Sequence, residues 1–437
     1  MPELVLIINS LKMFFPRNVD VFQAIIEAML TMNGSKTMLN ISRWTEGKAC
    51  YRTIERFYDR NIEWLHMNLL LIVGFVNYKE AILLASDETV EGKAGKQTVG
   101  LDMFFSSILQ KPIKSICFSG LSVIIPEKRK SYPLLMSQLV YTEEEKAKLI
   151  KAKEIRKAKK KSKNKAGRPK GSKNKIKTDE KLAGTFRVLE EQFIELKKVL
   201  MLNIAHFLGD GKYGNNTALK LCKKYNYFLI SKLQNNSALF FEYTGEYSGK
   251  GKAKTYGDKL DYDNIPAEYL VKEEITDKVI TRTYQIKLLS KSIEGMLNVV
   301  IVHKTIGKKL AHVLFFSNDL TLSYQKIIDY YSLRFQIEFN FRDAKEFWGL
   351  SDFMNIKKQR IKNASNLAFF MCNLSNILLE KFREKQQNSK SGIRDLLSYF
   401  KADHYFNQTL KLLLKSNDNI FIPDSIQDIT SIGAIHV

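Results

Sequence analysis

The sequence predicts an α/β fold: a helical N-terminal region, a centre of alternating strands and helices interrupted twice, and a helical C-terminal tail. Three observations carry this expectation. Apolar residues recur at three-to-four spacing near the start of the chain, as in Val21, Phe22, Ile25, Ile26 and Met29. Short apolar runs bounded by polar residues, such as Ala81-Ile82-Leu83-Leu84-Ala85, occupy the middle, as strands buried on both faces require. Two segments then break that middle, one lysine-rich and one of strand-like alternation. With 437 residues, 45% hydrophobic and 26% charged, the chain is long and apolar enough to bury a substantial core.

Residues 1–77 read as helical. A helix over 19–32 stops at Asn33-Gly34, Ser35 is placed to cap a short second one, and a third runs through Tyr51-Arg52-Thr53-Ile54-Glu55-Arg56-Phe57-Tyr58. Small helices in this order suit a helix-turn-helix-like DNA reader, and equally a plain helical packing module. From Lys79 a buried strand ends at Ser86-Asp87-Glu88-Thr89, and glycine-punctuated residues 100–125 suggest two more strands. After the basic segment come a helix over 188–202, a strand over 203–208 ending at Gly209-Asp210-Gly211, a helix over 215–224 and a strand over 227–232. Alternation marks 235–318, as in Thr281-Arg282-Thr283-Tyr284-Gln285-Ile286-Lys287, and one long helix is expected from Thr321 to about Phe347. The boundaries are therefore 1–77, 78–350 with interruptions at 143–181 and 235–318, and 351–437.

Charge points to a partner. Lys and Arg number 69 against 46 Asp and Glu, a net of +23. Residues 146–177 hold 16 of those cations and one acid, Glu154, so +15 is concentrated there and +8 is spread over the rest. A concentrated excess suits a polyanion. Cys50, Cys117, Cys222 and Cys372 show no CxxC spacing, which argues against zinc or a disulfide framework and for free thiols in a reducing cytoplasm. The apolar start lacks a secretory pattern, and the longest apolar run, 69–76, is too short to span a bilayer, so a soluble cytoplasmic protein is expected. No Walker loop or GxSxG is present. The six histidines form no HxH or HxxxH pair, and His206, four residues before Asp210, reads as a core residue.

The expected long helix carries the most specific chemistry. At about 100° per residue, Tyr331, Arg334, Glu338 and Lys345 fall within roughly 60° of one another, with Arg342 on the same stripe. Phe335, Ile337, Phe339 and Phe341 lie partly on the opposite side. One carboxylate beside an Arg, a Lys and a Tyr suits a site that binds a metal and grips a phosphate. Intrahelical ion pairs on a surface helix would use the same residues.

Tyr331-x2-Arg334-x3-Glu338-x6-Lys345 resembles the Y-R-E-K signature of DDE-type transposases of the insertion-sequence-four group. Phe207-Leu208-Gly209-Asp210-Gly211-Lys212-Tyr213-Gly214 is similar to that family's second aspartate at a strand end, and Asp87-Glu88-Thr89 resembles its first. The resemblance covers about residues 80–350. It implies a ribonuclease-H-like core with a strand-rich insertion, and a catalytic and metal-binding triad of Asp87, Asp210 and Glu338. It further implies two Mg²⁺ or Mn²⁺ ions, with Tyr331, Arg334 and Lys345 on the terminal phosphate. The partners it implies are double-stranded DNA, at inverted-repeat ends and target, and a second copy of the chain. Two divalent ions with all-oxygen ligands are what phosphodiester cleavage and strand transfer require. Glu88 and Asp102 are rival carboxylates, but Glu88 neighbours Asp87 on a strand and must face the other way. Asp210 has a plain turn role as its alternative.

Gly167-Arg168-Pro169-Lys170-Gly171 looks like an AT-hook, whose Arg168 and Lys170 would lie in a narrow minor groove; a lysine-rich loop with general phosphate affinity is the alternative. A tryptophan in the strand-rich insertion commonly stacks a flipped base in this family. Here the tryptophans are Trp44, Trp64 and Trp348, leaving Phe240, Phe241 or Tyr243 for that role. The expected activity is metal-dependent cleavage and strand transfer at insertion-sequence ends. The alternatives are another ribonuclease-H-like nuclease or resolvase, and a transposase-derived DNA-binding regulator.

Overall fold

A computed structural model describes residues 2–78, 81–161, 182–199, 201–247, 249, 251, 253–277, 279–307 and 309–413. The chain opens with five helices, α1 (Pro2–Ser10), α2 (Val19–Thr31), α3 (Met38–Arg43), α4 (Tyr51–Tyr58) and α5 (Trp64–Phe75). α2 buries Phe22, Ile25, Ile26 and Met29, the face that the spacing predicts. α3 is capped by the Thr37 hydroxyl, which accepts the Asn40 N–H at 3.2 Å, not by Ser35. α4 buries Ile54, Phe57 and Tyr58 and exposes Tyr51, Arg52 and Arg56.

The centre is one mixed, mostly antiparallel sheet. Its strands are β1 (Ile82–Gly92), β2 (Asp102–Ser106), β3 (Lys111–Ile125), β4 (Lys130–Leu139), β5 (Ile204–Leu208) and β6 (Phe228–Leu233), then β7 (Leu239–Glu242), β8 (Tyr256–Lys259), β9 (Leu270–Thr276), β10 (Val279–Ser290), β11 (Met296–Ile306) and β12 (Lys309–Ser317). They run in the order β2-β3-β1-β5-β6-β12-β11-β10-β7-β8, with β4 also on β3 and β9 also on β10. β1 is antiparallel to β3 and parallel to β5, and β5 is parallel to β6. Helices α6 (Glu143–Lys161) and α7 (Thr185–Val199) come between β4 and β5, and α8 (Asn216–Lys224) connects β5 to β6.

The strand-rich segment is not set apart. β12 pairs antiparallel with β6, Leu314 opposite Leu233, so the central sheet continues into it. That segment also aims the helix that follows, α9 (Tyr324–Leu333). Gln285 of β10 and Asn298 of β11 both donate to the Leu322 carbonyl at 2.8 Å, and Gln285 Oε1 accepts the Tyr324 N–H.

Three more helices close the described chain: α10 (Gln336–Glu346), α11 (Lys358–Gln386) and α12 (Ile393–Leu413). α11 is buried along most of its length and joins the N-terminal helices and α12 into one core. Its Phe370 meets Phe22 of α2 and Trp64 of α5, and its Asn363 accepts the Trp64 indole N–H at 2.8 Å. The same helix closes an edge of the sheet. Asn366 accepts the Met136 N–H and donates to the Met136 carbonyl, each at 2.8 Å, which satisfies the free edge of β4 as another strand would. No helix among the described residues is long and apolar enough to cross a membrane.

Candidate active site

The parallel pairing of β1 with β5 ends at Ala85 opposite Leu208. Asp87 and Asp210 each lie two residues beyond that pair, so they stand level just past the end of the parallel pairing. Alternation sends both to one face, because Leu83, Ala85 and Leu208 pack there with Ile327, Tyr330 and Leu333 of α9. The expected strand tip is not a tip. β1 continues to Gly92, paired only with β3 beyond Ala85, and Asp87 sits mid-strand opposite Gly120. Glu88 lies on the other face, where Lys212 bonds both its oxygens, 2.6 Å to Oε2. Asp102 begins β2 and accepts the Met103 N–H, away from Asp87.

Asp210 caps a 3₁₀ turn, Gly211–Tyr213, accepting the Lys212 N–H at 3.0 Å. The glycines on either side have distinct reasons. A Cβ on Gly209 would stand 2.5 Å from Tyr213, whose ring is fully buried, and one on Gly214 would collide with the Lys232 carbonyl oxygen.

The expected long helix is two helices. Between α9 and α10 the backbone tightens: the N–H groups of Arg334, Phe335, Ile337 and Glu338 bond carbonyls three residues back. The break leaves Phe335 exposed, contrary to the expected packed side, while Ile337 and Phe341 are buried. α10 is fixed over β3 and β4 by Asn340, whose amide donates to Ser122 and Ser131, and by Phe341, which lies against Gly120. A Cβ at Gly120 would stand 2.7 Å from the Phe341 ring. Neither Gly120 nor Asn340 stood out in the sequence; an isolated glycine in a strand pattern was the available signal of close approach.

These elements bring Asp87, Asp210, Glu338, Arg334 and Tyr331 together. Arg334 bridges two of the carboxylates, Nη1 to Asp87 Oδ2 at 3.0 Å and Nη2 to Glu338 Oε1 at 3.3 Å, while its buried Nε has no partner among the described residues. Burial pushes the Asp87 carboxyl up to about 6, the charges of Asp210 and Glu338 adding to the rise against the Glu88 N–H and Arg334. Tyr331 packs on Phe315 at 4.8 Å, and burial raises its phenol. Among the described residues, no three His, Cys, Asp or Glu side chains stand close enough to share one ion as they are.

Other expected members stand aside. Lys345 pairs with Glu91 at 2.6 Å and donates to the Val90 carbonyl, further along β1. Arg342 turns to Asp343 and to the Phe339 ring. His206 is held by Asp319 at 2.9 Å, beside the turn into α9. Phe240 and Phe241 lie on β7, five strands from β5 in the sheet order, roughly 24 Å at the usual strand spacing. Arg168 and Lys170 lie outside the described residues.

The family described as DDE superfamily endonuclease matches residues 15–292, which takes in Asp87 and Asp210 and stops short of Glu338. No curated protein matches the chain. The match spans well over half the chain, and the protein belongs to the DDE superfamily of endonucleases, which cut DNA with divalent metal ions.

Proposed function

We propose that the protein is a transposase that cuts and rejoins DNA at insertion-sequence ends, with Asp87, Asp210 and Glu338 as its catalytic and metal-binding carboxylates. One observation carries the reading: Asp87 and Glu338, far apart in sequence, share Arg334, and Asp210 stands level with Asp87 just past the neighbouring parallel strand. The order β4-β3-β1-β5-β6, with β1, β5 and β6 parallel and β3 reversed, supports a ribonuclease-H-like core.

The donor set fits Mg²⁺ or Mn²⁺, since all three ligands are carboxylate oxygens and Asp87 already lies among like charges and a bridging cation. Bound there, two such ions would activate the nucleophile and stabilise the leaving oxygen. Water would attack first and the freed 3′-hydroxyl second. Arg334 would turn its planar fork to the terminal phosphate, with its unpartnered Nε as a further donor, which frees Asp87 and Glu338. Tyr331 stands beside Arg334, and Lys345 of α10 lies against Val90 and Glu91 further along β1, so both would line the path of the same DNA strand. The exposed basic face of α4 and the lysine-rich segment would supply phosphate contacts on duplex DNA. Pairing two ends calls for a homodimer.

The test uses duplexes carrying the inverted repeats that flank the gene. Wild-type protein with Mg²⁺ or Mn²⁺ should cut and join them. Asp87→Asn, Asp210→Asn and Glu338→Gln should each lower cutting by roughly 100-fold or more while leaving duplex binding intact. Cutting without joining would indicate a nuclease. Lost binding with unchanged cutting per bound complex would overturn the site.

A further inference from the structure

No β1–β5 ladder runs between Asp87 and Asp210. β1 and β5 stop pairing at Ala85 and Leu208, two residues short of Asp87 and Asp210, and the two like charges repel across that gap. On the opposite face of the sheet one side chain crosses it. The Lys212 ammonium bonds both oxygens of Glu88, the residue after Asp87, and the hydroxyl of Thr185 at 2.9 Å, at the start of α7. The Lys212 backbone N–H donates to Asp210 itself. One residue thus holds the Asp210 carboxylate by its main chain and the neighbour of Asp87 by its side chain.

We infer that Lys212 and Glu88 are positioning residues that set the separation of Asp87 and Asp210 from behind the sheet, and so the ability of that pair to take a divalent cation. The inference rests on the reading of those aspartates as metal ligands. Lys212 is half-exposed, so as an ordinary ion pair it would add little to stability. As a spacer it would matter far more, because an error of about 1 Å in a catalytic constellation lowers rates by roughly 100-fold.

The experiment titrates Mn²⁺ into full-length, DNA-free protein by electron paramagnetic resonance, and follows Tm and cutting of end DNA in parallel. Lys212→Ala and Glu88→Gln should weaken Mn²⁺ binding roughly tenfold or more and slow cutting, with Tm within about 2 °C of wild type and duplex binding unchanged. Lys212→Arg should keep most of the affinity, and the exchange Glu88→Lys with Lys212→Glu should recover part of it. Wild-type Mn²⁺ affinity in Lys212→Ala at unchanged Tm would overturn the positioning role and leave the site reading standing. Wild-type protein whose Mn²⁺ binding is indifferent to Asp87→Asn would overturn the site reading and this inference with it.

Discussion

Asp87 shows how one residue carries opposed demands. Its carboxyl titrates near 6 against an ordinary 3.8, so the metal-free folded chain holds more protons than the unfolded one between about pH 4 and 6. The sign follows: its contribution to stability falls as pH rises through that window, by on the order of 3 kcal/mol, and is flat above it. Asp87→Asn should remove that slope and melt at or above the wild-type temperature at pH 7.5, measured without metal, while abolishing cutting. Since a cation competes with the same proton, metal affinity should rise to about pH 6 and then level. Arg334 gives a second residue-scale prediction. Lys cannot reproduce a fork that spans Asp87 and Glu338 or two phosphate oxygens. Arg334→Lys should therefore impair joining on a pre-nicked end by about tenfold or more with little change in Tm; near-normal joining would leave Arg334 only a bracing role.

At the scale of elements, Glu338 is delivered by the seating of α10. The helix breaks after Arg334, so its direction is set afresh by what it lies on: Asn340 on two serines and Phe341 on bare backbone at Gly120. Gly120→Ala should force the Phe341 ring outward, lowering stability by about 1–3 kcal/mol and cutting by more than that loss explains, because Glu338 moves with the helix. Denaturant unfolding together with cutting rates separates the two effects. The break itself was not legible. Residues 321–347 contain neither glycine nor proline, and helical periodicity reads across a tightened turn as if it were continuous.

Over the whole molecule, α11 makes a single body from regions that read as separate. The expected N-terminal head and C-terminal tail share its apolar surface, and its asparagines complete the β4 edge. Asn366→Ala would leave the Met136 N–H and C=O buried without partners, and should destabilise the chain by about 2–4 kcal/mol, read by urea unfolding, with loss of cooperativity between its two ends. An asparagine inside a helix usually signals a cap or a solvated face, so its use as a substitute strand partner could not be inferred from position in the sequence.

Local physics explains what the sequence determined unaided. A doubly buried strand must be apolar throughout, so Ile82–Ala85 announced β1, and a side chain after Asp87 must alternate away, so Glu88 was placed on the far face without coordinates. The spacing of Tyr331, Arg334 and Glu338 likewise survives the helix break, because a tightened turn displaces neighbours by only a fraction of a turn. Only the tertiary structure decided which charges meet. Lys345 looked equivalent to Arg334 on the stripe, yet Glu91 holds it, and Lys212, which the sequence marked only as part of the segment around Asp210, reaches Glu88 across 124 positions of sequence. Ion pairs depend on distances that strand register and helix seating create, and neither is encoded in the periodicity of any one segment.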